Sequence, residues 1–237
     1  MQGASRTFLA ACFAILVSAC GGGNSAAPPS SSNFDLQAGI AKMVTNGLSA
    51  NVNLSGTVSV NGVSTTFAGS GTFTRAPAVS ATFNGTAAMS QTTTVAGSIT
   101  AAGQTTPYST SVTDYYASSD SAFLGEVSGN EYDVAQAPII YPTTVMGGSS
   151  GTLGTLSRYT DSTMSVSLGT AQVSYLLRTP VDPGSPIGIV VTTKIFNTQN
   201  TLIETDVTDY TMTSSSVISL SGASAQNQSG MLTVTVQ

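Results

Sequence analysis

Apolar and polar residues alternate along two neighbouring stretches that begin near residue 50. Val52, Leu54, Gly56, Val58 and Val60 hold one parity, and Val63, Thr65, Phe67, Gly69, Gly71 and Phe73 hold the next. A period of two marks strands with one buried face. Asn61-Gly62 lies between them, and a type I′ hairpin turn favours this dipeptide because it needs positive φ twice. With those residues as the turn, Val60 faces Val63, Val58 faces Thr65 and Gly56 faces Phe67. A slip of one residue would turn the apolar set outward, so the register is well specified.

Downstream, short stretches rich in Thr, Val and Tyr recur between turn residues. They predict strands near 79–90, 92–101, 105–117, 121–127, 130–135, 152–159, 163–168, 171–178, 187–197, 201–212, 215–221 and 230–236. Pro180-Val181-Asp182-Pro183-Gly184-Ser185-Pro186 is a rigid turn. Upstream the period changes. Leu36, Ile40, Met43 and Val44 fall on one helical face, Asn33 is placed to cap the N-terminus, and Gly47 sits where a C′ glycine belongs. This helix over 33–47 is expected to pack against the sheet or plug its open end. Binding to a membrane surface is the rival reading, but Lys42 is the only positive charge on its polar face. The expected fold is all-β with one short N-terminal helix, its antiparallel meanders forming a sandwich or a strongly curved half-barrel.

Three short matches suggest an internal duplication. Gly71-Thr72-Phe73-Thr74-Arg75 recurs as Gly154-Thr155-Leu156-Ser157-Arg158. Gly85-Thr86-Ala87-Ala88-Met89-Ser90 recurs as Gly169-Thr170-Ala171-Gln172-Val173-Ser174, and Val112-Thr113-Asp114-Tyr115 as Val207-Thr208-Asp209-Tyr210. The order is kept, which places the halves at roughly 54–116 and 143–211 of a β domain covering 48–237.

The N-terminal pattern is different again. Arg6 precedes an apolar run from Phe8 to Val17, closed by Val17-Ser18-Ala19-Cys20. The run is shorter than the ~20 apolar residues that span a bilayer and has the layout of a cleaved secretory leader over 1–19. The stretch Val17 to Cys20, with the Gly, Ser, Ala and Pro tether that follows over 21–32, resembles a bacterial lipobox. That resemblance implies a lipidated Cys20 at the new N-terminus. Gly21 rather than Asp after the cysteine resembles lipoproteins sent on to the outer membrane. More than one acyl chain gives stable anchoring.

Composition then removes function classes. Charged residues are 7% of the chain and histidine and tryptophan are absent. Cys12 leaves with the leader and Cys20 carries lipid, so no thiol remains for a disulfide or a metal. Without histidine the commonest general base, zinc ligand and catalytic triad are all excluded. No cofactor is expected. With Arg6 gone, five cations face eleven acids, which argues against nucleic acid and anionic headgroups as partners. The expected membrane contact runs through the lipid.

Few candidate sites remain. Gly147-Gly148-Ser149-Ser150-Gly151 matches the G-x-S-x-G nucleophile pattern, but no helix follows and no histidine exists, so it reads as a loop. The repeated pairs Asp114-Tyr115 and Asp209-Tyr210 are candidates for carboxylate chemistry or, with Glu204 and Asp206, for calcium. On a strand Glu204 and Asp206 share one face and Asp209 takes the other, which weakens the calcium reading. Tyr packing inward and Asp capping turns is the blander account. Arg75 and Arg158, at matching repeat positions, are expected to pair with Asp114 and Asp209 across the sheet. The tyrosines at 108, 115, 116, 132, 141, 159, 175 and 210 read as large core residues rather than a groove.

Residues Ala137 to Val145 and Gly154 to Ser162 look like a group of uncharacterised proteobacterial lipoproteins, with looser likeness over Glu126 to Tyr175. The family implies location and carries no activity. The expected function is therefore a lipid-anchored envelope lipoprotein acting as a non-catalytic binding or interaction module for a protein or polymer. The alternatives are an apolar-ligand or lipid carrier, with a cavity of about 300–1,000 Å³, and a carboxylate-based hydrolase built on Asp114 and Asp209.

Overall fold

The alternation that begins at Leu48 runs, in a computed structural model, through a single antiparallel sheet that closes on itself. The described residues are 33–60, 62–180, 182 and 184–237; the expected leader over 1–19, Cys20 and the expected tether over 21–32 lie outside them. Helix α1 (Leu36–Asn46) comes first, followed by β1 (Leu48–Val60), β2 (Val63–Arg75), β3 (Val79–Phe83) and β4 (Thr86–Ala101). Next are β5 (Gln104–Tyr116), β6 (Phe123–Ser128), β7 (Glu131–Ile139), β8 (Ser150–Tyr159) and β9 (Ser167–Leu177). The chain ends with β10 (Ile187–Phe196), β11 (Leu202–Met212), β12 (Ile218–Asn227) and β13 (Gly230–Val236).

The sheet order is β2-β1-β13-β12-β11-β10-β9-β8-β7-β6-β5-β4-β3, and β2 also pairs with β4. That pairing closes a barrel of 12 strands. The expected sandwich or half-barrel is thus corrected to a closed barrel. Alternation is the same in all three architectures, so it could not decide between them. Closure removes the two edge strands that an open meander would expose. Glycine permits it at the seam: a Cβ at Gly69, Gly71 or Gly97 would lie 2.0, 2.3 or 2.2 Å from a carbonyl oxygen of the facing strand.

The first hairpin keeps the expected register, with Val60 opposite Val63, Val58 opposite Thr65 and Gly56 opposite Phe67. The stretch 79–90 is not one strand. Asn84 (φ 48) and Gly85 (φ 73) form a second turn of the kind assigned to Asn61-Gly62, splitting it into β3 and the start of β4. Residues 163–165 are not strand either, because Asp161 Oδ1 accepts from the Thr163 amide at 2.8 Å and its hydroxyl at 2.6 Å, forming an Asx turn. The helix is capped by Asp35, whose Oδ1 accepts from the Ala38 amide at 2.8 Å. Asn33 does not cap it, since Phe34 is held in a bridge to Val145 and the helix begins beyond it. Gly47 ends it as expected, with φ 68 and its N–H donating to the Met43 carbonyl.

The two faces of the wall differ sharply. On β1, Val52 and Leu54 point inward and are buried, while Asn51, Asn53 and Ser55 are exposed. On β2, Phe73 and Arg75 are buried while Ser70, Thr72 and Thr74 are exposed. A membrane-spanning barrel presents an apolar band outward; this exterior is mostly Ser and Thr, with its apolar set inside. One outer patch, on β5 to β7, is covered by β3. There Phe83 stacks on Tyr115 and Tyr132, with ring centroids 4.4 and 5.1 Å away, and sits over Gly125.

Helix α1 closes one end of the barrel. Leu36 and Met43 pack with Leu177, Ile187, Met212 and Ile218, and Val44 packs with Phe123, Ile139 and Leu156. Of the two readings of this helix, plugging the sheet's open end is the one the contacts match. Among the described residues no helix is long and apolar enough to cross a membrane.

Candidate functional site

Cross-strand neighbours point to the same side of a sheet, so ladder registers place side chains around the inner wall. Asp114 lies opposite both Gln91 and Glu126, Glu126 opposite Asp133, and Asp133 opposite Arg158. With Arg75, which reaches Gln91, these side chains form a polar belt across β2 and β4 to β8. The belt and the helix border a partly open cavity of about 180 Å³. Its lining includes Ile40 and Met43 from the helix, Ile189 and Val191 from β10, and Tyr116 and Tyr210. It is smaller than the ~300–1,000 Å³ of sites for drug-sized ligands and close to the ~150 Å³ that admits benzene.

One end of the belt is a closed network. Arg75 Nε donates to Gln91 Oε1 at 2.7 Å, and its Nη2 donates to Asp114 Oδ2 and meets the Tyr116 hydroxyl. Gln91 is fully buried, and its Nε2 donates to the carbonyls of Met43 at 2.9 Å and Ala76 at 2.8 Å. A neutral amide thus satisfies the C-terminal carbonyls of α1 and fastens the plug to the wall. Burial alone would lower the Arg75 pKa, but the phenol of Tyr116 and the Asp114 carboxylate raise it above its usual value. Burial raises the Asp114 carboxyl against the pull of Arg75.

The other end is acidic. Arg158 Nε donates to Asp133 Oδ2 at 3.1 Å, and its Nη2 meets Glu131 Oε2 at 2.5 Å. Burial pushes Asp133 up to about 6 despite that partner. Five carboxyl side chains and two guanidiniums line the cavity. Asp114 pairs with Arg75, and Asp133 and Glu131 pair with Arg158. Glu126 and Asp206 have no ion-pair partner among the described residues. Asp206 is 0% exposed, and neither of its oxygens meets an N–H or hydroxyl donor; its hydrogen-bond partner is the Glu204 carboxyl, with which it shares a proton. Glu126 keeps partial exposure, and that exposure is toward the cavity it lines. Burial raises both carboxyls well above their ordinary range, the charges of neighbouring acids adding to it.

The residues expected from the sequence are divided by the wall. Arg75 and Asp114 do pair, inside. Arg158 pairs with Asp133 and Glu131, not with Asp209; Asp209 instead binds Arg178 at 2.6 Å, and Arg178 is half exposed. Tyr210 lines the cavity, whereas Tyr115 stacks outside with Phe83. The third repeat match therefore reverses its faces: Asp114 points inward and Asp209 outward. Two acids on opposite sides of a wall share no cleft, so the hydrolase pair is not formed. Glu204 and Asp206 share the inner face and Asp209 the outer, as strand parity requires, and no group of three or more metal-binding side chains occurs among the described residues. Gly147 and Gly148 form a turn, with hydrogen bonds from Gly148 to Leu177 and from Ser149 to Met146, while Ser150 and Gly151 already begin strand β8; the elbow's strand-to-helix turn is not formed. Sequence reasoning missed Gln91, Glu126, Glu131 and Asp133. For Glu126 and Asp133 a signal existed in their opposite parity to Val127, Tyr132 and Val134.

Comparison with protein families, curated proteins and solved structures finds no match. The site has to be read from its own chemistry.

Proposed function

We propose that the chain is a lipid-anchored protein of the bacterial cell envelope whose barrel is a non-catalytic binding module for a small ligand held in its lumen. One observation carries the reading: a cavity of about 180 Å³ lies behind a helical plug, lined by an apolar half and a belt of charged side chains. Packing alone does not call for such a space, because protein interiors fill to crystal-like density and voids larger than a water are few. A wall with Ser and Thr outside suits a barrel standing in water, and the lipobox-like Val17 to Cys20 supports attachment through lipid at Cys20, consistent with the outer-membrane lipoprotein family that the sequence resembles.

Native mass spectrometry on the gently purified full chain tests the binding claim. The expected result is a reproducible extra mass of small-molecule size, lost on denaturation. A chain that is bare in every preparation and takes up no small molecule from a screen overturns it. For the anchor, acyl labelling of wild type and Cys20→Ser is expected to lose its signal in the variant; equal labelling of both refutes lipid at Cys20.

A further inference from the structure

Within that lumen-binding reading, on which this inference rests, the wall specifies the charge of the ligand. Asp206 is fully buried, lines the cavity, and has no hydrogen-bond partner beyond the proton it shares with Glu204. Ionising these carboxyls with no cation beside them is costly, so without a ligand they hold their protons. Glu126, on β6, faces the same space from the far side of the ring, since β6 and β11 are separated by β7 to β10. The cations nearest the acidic end are already engaged: Arg158 by Asp133 and Glu131, Arg75 by Asp114. Glu204, two residues from Asp206 on the same face, is the carboxyl that shares its proton, and it accepts a further hydrogen bond from Asn227. Beside these acids the wall turns apolar toward the helix, through Val191, Ile189 and Ile40.

We propose that the lumen binds a small organic ammonium, its charged nitrogen between Asp206 and Glu126 and its apolar body against Val191, Ile189 and Ile40. An ammonium carries up to three donors and supplies the charge and hydrogen bonds that the two carboxylates lack. A bare metal ion suits the wall less well, because no cluster of three or more ligating side chains exists among the described residues. A cavity of about 180 Å³ holds roughly six waters at ~30 Å³ each, room for an amine of about six to eight heavy atoms. Binding the cation favours the charged carboxylates, so protons leave as the ammonium enters.

Calorimetry on the purified full chain at pH 8, with hexylammonium, 1-hexanol and hexanoate as probes, tests this. The expected result is one site for hexylammonium, at least tenfold weaker binding of hexanol, and no binding of hexanoate. Binding repeated in two buffers of different ionisation heat is expected to show proton release that grows as the pH is lowered toward 6. Asp206→Asn and Glu126→Gln are each expected to weaken hexylammonium at least tenfold and to reduce the proton release, with a cooperative thermal melt showing that each variant is folded; undiminished hexylammonium binding by folded variants overturns the proposal. Hexanol or hexanoate binding as tightly as the amine overturns the ammonium proposal and leaves the lumen reading standing. Absence of binding by all three probes, with a bare native mass, removes both.

Discussion

Replacing Glu204 with Gln should stabilise the protein at pH 8 and leave it nearly unchanged at pH 5. Glu204 is 7% exposed, accepts one hydrogen bond from Asn227 at 3.3 Å, and burial pushes its carboxyl up to about 7. Its ordinary value, which the unfolded chain keeps, is 4.5. The folded state therefore holds more protons between those values, and stability falls as pH rises through the window, then levels off above it. A rise of about 2.5 pK units is worth about 3 kcal/mol at 1.36 kcal/mol per unit. Glutamine does not ionise, can keep the Asn227 contact, and offers an N–H that keeps a hydrogen bond to Asp206 where the shared proton was. For a barrel of this size, with Tm moving about 2–4 °C per kcal/mol, Glu204→Gln should raise Tm by about 6–12 °C at pH 8. Calorimetric melts of both proteins from pH 4.5 to 8.5 would show it. Asp133, raised to about 6, and Asp206 push the wild-type curve the same way. A wild-type Tm that rises or stays level from pH 5 to 7.5, or a variant equally destabilised at every pH, would refute the reasoning.

Two further outcomes follow from the contacts. Arg75→Met strands Asp114 and frees Gln91 Oε1 inside the wall, and should cost about 3–5 kcal/mol in urea melts; Arg75→Met with Asp114→Leu should recover most of that, and a double variant no better than the single contradicts the pairing. Phe83→Ala removes the ring stacked on Tyr115 and Tyr132, so amide exchange should quicken over β3 while the ladder between β1 and β2 keeps its protection; uniform quickening would mean that β3 is integral to the barrel.

Local features were legible in the sequence and closure was not. The Asn61-Gly62 hairpin could be read to the residue because turn chemistry and parity agree there. The same dipeptide logic at Asn84-Gly85 separates β3 from β4, yet a continuous Val/Ala/Thr pattern masks it. The join of β2 to β4 skips β3, and no local pattern encodes a pairing over such a distance; only the glycines at 69, 71 and 97 hint at close backbone approach. Arg75 with Asp114 was accessible because cations are scarce and both sit on inward parity. For Arg158 the apparent repeat pointed to Asp209, while the adjacent strand β7 supplied Asp133 and Glu131. Repeated words in a Ser- and Thr-rich chain do not fix which face a residue takes. Parity does, and it had already set Asp209 apart from Glu204 and Asp206.

The most direct test of a ligand-binding lumen is methyl NMR on the Ile-, Leu- and Val-labelled full chain, titrated with hexylammonium and with 1-hexanol. Ile189, Val191 and Ile195 line the cavity, whereas Val79 and Leu176 are exposed outside it. The account predicts saturable shifts at the three inner residues with the outer two unmoved. Shifts confined to Val79 and Leu176, or none with either probe, would contradict it.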